Sequence, residues 1–273
     1  MLCSAAGGGF AVGHALTYSK PLWDVLGEAE RAGRKAVIFS IEYSLAPEFP
    51  FPKALNECVD AYRFLVHNLN IPPGKIVLAG DSAGGNLCVT TSLLLRDLHE
   101  PLPAGLVLIA PWVSLDATTP SYSRNHRYDI LTHAFLKEKR DWYLQNRAPT
   151  PLSSPILANL AGLPPALVFA GDRELFFDDV NGWDREHVSD VRAAATLANR
   201  HCCLGSGGPR RAAFVHKYQQ ANSPAHVRFV AEKDMFHDYM LTENAGAVGR
   251  RALKQWAAFV VDVTTPTFAT ASH

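Results

Sequence analysis

Five short apolar runs, rich in β-branched residues, alternate along this chain with stretches of helical periodicity, and that alternation limits the fold more than any other feature. The runs are Ala36-Val37-Ile38-Phe39-Ser40-Ile41, Lys75-Ile76-Val77-Leu78-Ala79, Leu106-Val107-Leu108-Ile109-Ala110, Ala166-Leu167-Val168-Phe169-Ala170 and Val227-Arg228-Phe229-Val230. Continuous apolar runs of this length read as strands buried on both faces. Between them, residues 54–68 place Leu55, Cys58, Val59, Tyr62, Leu65 and Val66 at helical spacing, and Ala247 to Val263 does the same with Leu253, Trp256, Phe259 and Val260. Strand–helix alternation predicts an α/β fold, a mostly parallel sheet with helices on both faces. The 273 residues, 48% of them hydrophobic, are enough for one domain with a large core. Residues 116–150 carry Tyr122, Tyr128, Phe135, Trp142 and Tyr143 and read as helices outside the sheet. Residues 180–212 are Gly/Arg/Ala-rich and weakly periodic, an irregular insert too long for an ordinary connection. Two readings stand for it: a disordered insert, or non-coding sequence carried into the chain.

Charge and cysteine content exclude several classes. Lys+Arg and Asp+Glu both number 26, so nothing favours nucleic acid or an anionic membrane surface. The five cysteines are odd in number and lack zinc spacing. They read as free thiols, which points to a reducing, cytoplasmic location. Residues 1–7 have no charged or apolar leader pattern, and no apolar run is long enough to span a bilayer as a helix.

The chemistry concentrates at Gly80-Asp81-Ser82-Ala83-Gly84. This G-x-S-x-G lies between a predicted strand and a predicted helix starting near Asn86. A sharp strand-to-helix turn lifts a serine hydroxyl clear of the sheet, and flanking glycines remove side chains that would collide there. The helix start directs N–H groups and the positive dipole end at the same point. Ser82 is therefore the candidate nucleophile, and the motif in this setting predicts the α/β-hydrolase fold. Gly7-Gly8-Gly9-Phe10, upstream, is a candidate oxyanion loop: the N–H groups of Gly8, Gly9 and Ala83 would bind a developing negative charge.

A serine nucleophile needs a base and an orienting acid, here in the order Ser, acid, His. Of eleven histidines, His237 follows the last predicted strand, where α/β sites gather. His201, His216 and His226 read as surface residues in or beside the insert. Gly171 to Asp179 offers Asp172, Glu174, Asp178 and Asp179 as the acid, and position alone does not choose among them. Asp178 or Asp179 is also placed to cap a helix.

Taken together these motifs resemble the hormone-sensitive-lipase-like family of α/β hydrolases, especially its fungal carboxylesterases. That family carries H-G-G-G-F, Y-R-L-A-P-E, G-D-S-A-G-G-N, an acid motif of the D-P-L-x-D-E or E-x-L-x-D-E type, and a late histidine. This chain has Ala6-Gly7-Gly8-Gly9-Phe10, Tyr43-Ser44-Leu45-Ala46-Pro47-Glu48, Gly80 to Asn86, Glu174 to Asp179 and His237. Ala6 stands where the family has histidine, and Ser44 where it has arginine. The resemblance implies hydrolysis of carboxylic esters without metal or cofactor. It places the catalytic acid on Glu174, with Asp172 as runner-up. It makes residues 116–150 a partial helical cap over the acyl pocket, and it implies N-terminal strands missing ahead of the glycine motif. The expected partner is a small-molecule ester; an exposed edge strand offers a route to a homodimer. The alternatives are a small-molecule-binding protein on a hydrolase scaffold and a truncated, poorly active product.

Overall fold

The computed structural model describes residues 1–182, 213–242 and 246–265. Among them six strands form one sheet in the order β2-β1-β3-β4-β5-β6, every pairing parallel. They are β1 (Leu2–Ala5), β2 (Ile38–Ile41), β3 (Val77–Asp81), β4 (Gly105–Ile109), β5 (Ala166–Gly171) and β6 (Val227–Glu232). Five of them match the apolar runs. β1 is additional, and it lies inside the sheet between β2 and β3. Its four residues, Leu-Cys-Ser-Ala, are all buried. They include none of the β-branched residues that mark strands in a sequence.

The side-chain alternation of the strands divides the core. Leu78, Leu106, Leu108, Ala166 and Val168 face one side, where α2 (Lys53–Arg63) and α3 (Ser82–Asp97) pack. Val77, Ala79, Val107, Ile109, Leu167 and Phe169 face the other, covered by α1 (Ser19–Arg31) and α8 (Gly246–Thr264). Both faces are covered, which is why these strands read as unbroken apolar runs. α4 (Pro120–Asn125) and α5 (His133–Leu144) lie within the 116–150 segment. α6 (Phe177–Asn181) follows β5, and α7 (Phe214–Ala221) precedes β6. Of the expected 180–212 insert, Val180 and Asn181 belong to α6, and residues 183–212 lie outside the described residues. Cys3, Cys58 and Cys88 are buried free thiols; Cys202 and Cys203 also lie outside the described residues.

Candidate active site

Ser82 is the first residue of α3, directly after β3, four residues earlier than the helix start expected from the sequence. Its φ is 48°, a left-handed conformation uncommon for serine and characteristic of a strained turn. The turn closes on its glycines. A Cβ on Gly80 would lie 2.4 Å from the Gly84 carbonyl carbon, and one on Gly84 would lie 2.0 Å from Ala5 O. Backbone occupies both spaces, so neither residue can carry a side chain. The carbonyl of Ser82 accepts from Trp112 N at 2.9 Å. Ala83 sits in the first turn of α3, where N–H groups have no partner inside the helix.

The glycine loop is held from three sides. Gly7 N donates to Asp81 Oδ1 at 2.9 Å, and Tyr43 Oη donates to Ala6 O at 2.6 Å. Ala46 N donates to Phe10 O at 2.9 Å. The Phe10 ring is fully buried and stacks on Tyr143 at a centroid distance of 3.7 Å. The stem of Lys139 lies against Gly9, and its Nζ sits 3.7 Å above the Trp142 ring. Gly8 and Gly9 have φ of 122° and 62°. Their N–H groups donate to no acceptor among the described residues. Asp81, Tyr43, Phe10 and the residues of α5 therefore build the site; Asp81, Tyr43 and Phe10 all lay inside the quoted motifs without a role.

The four candidate carboxylates have four different environments. Glu174 is completely buried; its Oε2 accepts from Gly171 N at 3.0 Å and its Oε1 has no partner. Burial pushes its pKa up to about 8, against the opposing pull of His237 and the Gly171 N–H. Asp172 is partly exposed and accepts from Asp234 N at 2.7 Å. Asp178 accepts from Ser121 N at 2.8 Å and pairs with Arg124 at 2.7 Å. Asp179 is buried, and burial pushes it up to about 7. Neither Asp178 nor Asp179 is the N-cap of α6, although Asp178 accepts from the first-turn N–H of Ser121 in α4. α6 begins at Phe177 with no side-chain cap, and both aspartates lie inside its first turn, so the capping expectation is corrected.

His237 follows β6, buried, with its ring edge-on to Phe176 at 5.0 Å. Nε2 lies 3.1 Å from Asp238 Oδ2, and Nδ1 has no partner. Burial disfavours the charged imidazolium, but Asp238 first, then Glu174 and Asp129, outweigh it and push the pKa up to about 9. Asp129, in the α4–α5 connection, spans the two loops: its Oδ1 accepts from His237 N at 3.1 Å and its Oδ2 from Leu175 N at 2.6 Å. No signal in the sequence pointed to it. Ser82, Glu174 and His237 thus gather at the carboxyl ends of β3, β5 and β6. No hydrogen bond joins Ser82 to His237 or His237 to Glu174 among the described residues. His216 is exposed, His226 holds Leu163 O at 2.8 Å, and His201 lies outside the described residues.

A strained serine at a strand-to-helix turn, on a parallel sheet covered on both faces, defines an α/β hydrolase, and comparison with known proteins agrees. The family pattern described as the alpha/beta hydrolase fold matches residues 4–199. An acetyl-hydrolase of Streptomyces hygroscopicus is 39% identical over 181 residues, covering 66% of this chain and 58% of that protein. An esterase of Acinetobacter venetianus is 33% identical over 190 residues, 68% of this chain and 61% of its own length. Mouse hormone-sensitive lipase is 46% identical over 84 residues, 30% of this chain and 11% of the lipase. The crystal structure of an esterase from the bacterial hormone-sensitive lipase family superposes with a TM-score of 0.76 at 28% identity, over 97% of this chain and 77% of that one. The chain belongs to the α/β-hydrolase family, on the branch that includes hormone-sensitive lipase and its bacterial esterase relatives. It spans about three fifths of the length of the first two of these relatives.

Proposed function

We propose that the protein hydrolyses carboxylic esters through an acyl-enzyme on Ser82. The observation that carries this reading is the left-handed Ser82 at the β3–α3 turn, with N–H groups of Gly8, Gly9 and Ala83 on hand. Relatives named acetyl-hydrolase, esterase, carboxylesterase and arylesterase support the substrate class. In this mechanism the Ser82 hydroxyl gives its proton to His237 Nε2 as Oγ attacks the ester carbonyl. Glu174 holds the ring through Nδ1–H and stabilises the imidazolium. The three backbone N–H groups bind the oxyanion. His237 then protonates the departing alcohol, and water cleaves the acyl-enzyme by the same route in reverse.

Residues 116–150 act as a partial cap over the acyl group. In support, a cavity of about 330 Å³ is lined by Trp112, Leu115, Tyr122 and Leu136 with a charged rim of Lys137 and Arg140. Its volume is in the range of small-molecule sites. Trp112 connects it to the nucleophile turn through its bond to Ser82 O. The test is labelling with a fluorophosphonate together with turnover of an aryl ester series. Wild type is expected to label on Ser82 and release a burst of alcohol, and Ser82→Ala to do neither. A protein that turns over esters equally well as Ser82→Ala disproves the reading.

A further inference from the structure

Two buried carboxylates stand ready for one imidazole, and they ask opposite things of it. Nε2 of His237 lies 3.1 Å from Asp238 Oδ2, while Nδ1 and Glu174 Oε1 are both buried without a partner. An ionised carboxylate only accepts hydrogen bonds, so its contact places a hydrogen on Nε2. The ring is then either an imidazolium or the Nε2–H tautomer. Neither form can take a proton from Ser82, because a general base at this position needs a bare Nε2 and a hydrogen on Nδ1. Glu174 Oε1 would select that working tautomer; Asp238 selects the idle one. The backbone contributes: Asp238 is in the left-handed region, φ 55°, directly after His237.

We propose that Asp238 is a positioning residue that holds His237 in an idle pose, and that turnover requires Nε2 to leave Asp238 for Ser82 while Nδ1–H closes on Glu174 Oε1. This rests on the esterase reading above. From the imidazolium the change releases the Nε2 proton to solvent and keeps the one on Nδ1. From the neutral Nε2–H tautomer one proton moves to solvent from Nε2 and one returns to Nδ1, with no net change. The charged groups around the ring come from four places. Asp238 is on its own loop, Glu174 on the acid loop, Asp129 on the α4–α5 connection, and Asp81 on the serine turn. Asp238 first, then Glu174 and Asp129, favour the charged ring, and together they overcome its burial. The neighbouring Asp238 also helps to raise Glu174. Holding the ring idle and holding it protonated are therefore one effect of one side chain.

The experiment measures the rate of fluorophosphonate labelling of Ser82 from about pH 6 to about pH 10, in wild type and in Asp238→Asn, with Ser82→Ala as the blank. Asn keeps the shape of Asp and removes its charge. The wild-type rate is expected to climb with a midpoint near 9. In Asp238→Asn the midpoint should fall by about one unit or more, so that at neutral pH the variant labels roughly ten-fold faster relative to its own plateau. An unshifted midpoint overturns the inference and leaves the esterase reading intact. Wild type that fails to label at any pH overturns the esterase reading, and this inference with it. Should Asp238→Asn not fold, nitrogen NMR of the His237 ring in Ser82→Ala decides: a hydrogen on Nε2 near neutral pH supports the proposal, and a neutral Nδ1–H ring overturns it.

Discussion

At Ser82 and its neighbours the turn is set by backbone packing, so single side-chain changes have steep consequences. Gly84→Ala would drive a methyl into Ala5 O, a distance of 2.0 Å. The expected result is a loss of at least about 1–3 kcal/mol, read as a lower urea midpoint with an unchanged slope. Glu174→Gln keeps the volume but removes the charge that, in the proposed mechanism, stabilises the imidazolium. A fall in kcat of roughly 10⁴ with little change in KM is expected from steady-state kinetics on an aryl ester; a fall of less than ten-fold would remove Glu174 from its role. The sequence brought Glu174 to notice only as one of four carboxylates within eight residues, and the family resemblance chose it. What separates the four physically is burial and partner. Asp178 is neutralised by Arg124, Asp172 serves a backbone N–H at the surface, and Asp179 is buried away under α4. Glu174 and Asp179 are both buried with an unpartnered oxygen, and Glu174 alone among the four is electrostatically coupled to His237. None of those properties belongs to a nine-residue string.

At the level of elements, the α4–α5 segment supports both halves of the site. α5 stacks Tyr143 on Phe10 and lays Lys139 along Gly9, which steadies the glycine loop. Phe10→Ala should cost about 3–5 kcal/mol, seen as a drop in Tm, and should lower kcat by loosening the N–H groups of Gly8 and Gly9. Asp129, between the two helices, ties the acid loop to the histidine loop through Leu175 N and His237 N. Asp129→Ala leaves both donors unpaired, at about 1–3 kcal/mol each where they are buried. The expected outcome is a lower Tm with kcat reduced more than KM is raised; wild-type kinetics in a stably folded variant would refute the tie. Strands and long helices were legible because their periodicity is local. β1 was not: its four residues lack the strand signature, and they are buried because β2 and β3 flank the strand and helices cover both faces of the sheet. Nor was the start of α3 at Ser82, since Gly84-Gly85 is a poor helical sequence that close packing on Ala5 and Pro111 makes obligatory.

For the whole molecule, the sheet order carries the residues after β3, β5 and β6 to one edge, the rim on which α/β proteins build their sites. Because Asp238, Glu174 and Asp129 act on His237, its protonated form persists to about pH 9. The base function proposed for it is present only above that point and is lost as pH falls through it. Ester turnover should therefore rise steadily from pH 7 toward pH 9, and a kcat/KM profile with an acid limb near 6.5, the ordinary imidazole value, would contradict the arrangement. The proposed mechanism binds the oxyanion with backbone N–H groups and activates Ser82 with an imidazole. A chelator is accordingly expected to leave turnover unchanged, as measured after prolonged dialysis against it.

Taken alone, the sequence determined the α/β class, five of the six described strands, the strand-to-helix turn at Ser82 and the chain order of the candidate serine, acid and histidine. Those features follow from local periodicity and from the steric demands of a tight turn, which neighbouring residues impose on one another. The tertiary structure decided which carboxylate is buried against the histidine, what anchors a glycine loop that lacks its usual histidine, and that Asp238 rather than Ser82 holds Nε2. Each of these depends on distances between residues far apart in the chain, and on the loss of water around them, neither of which a local pattern encodes.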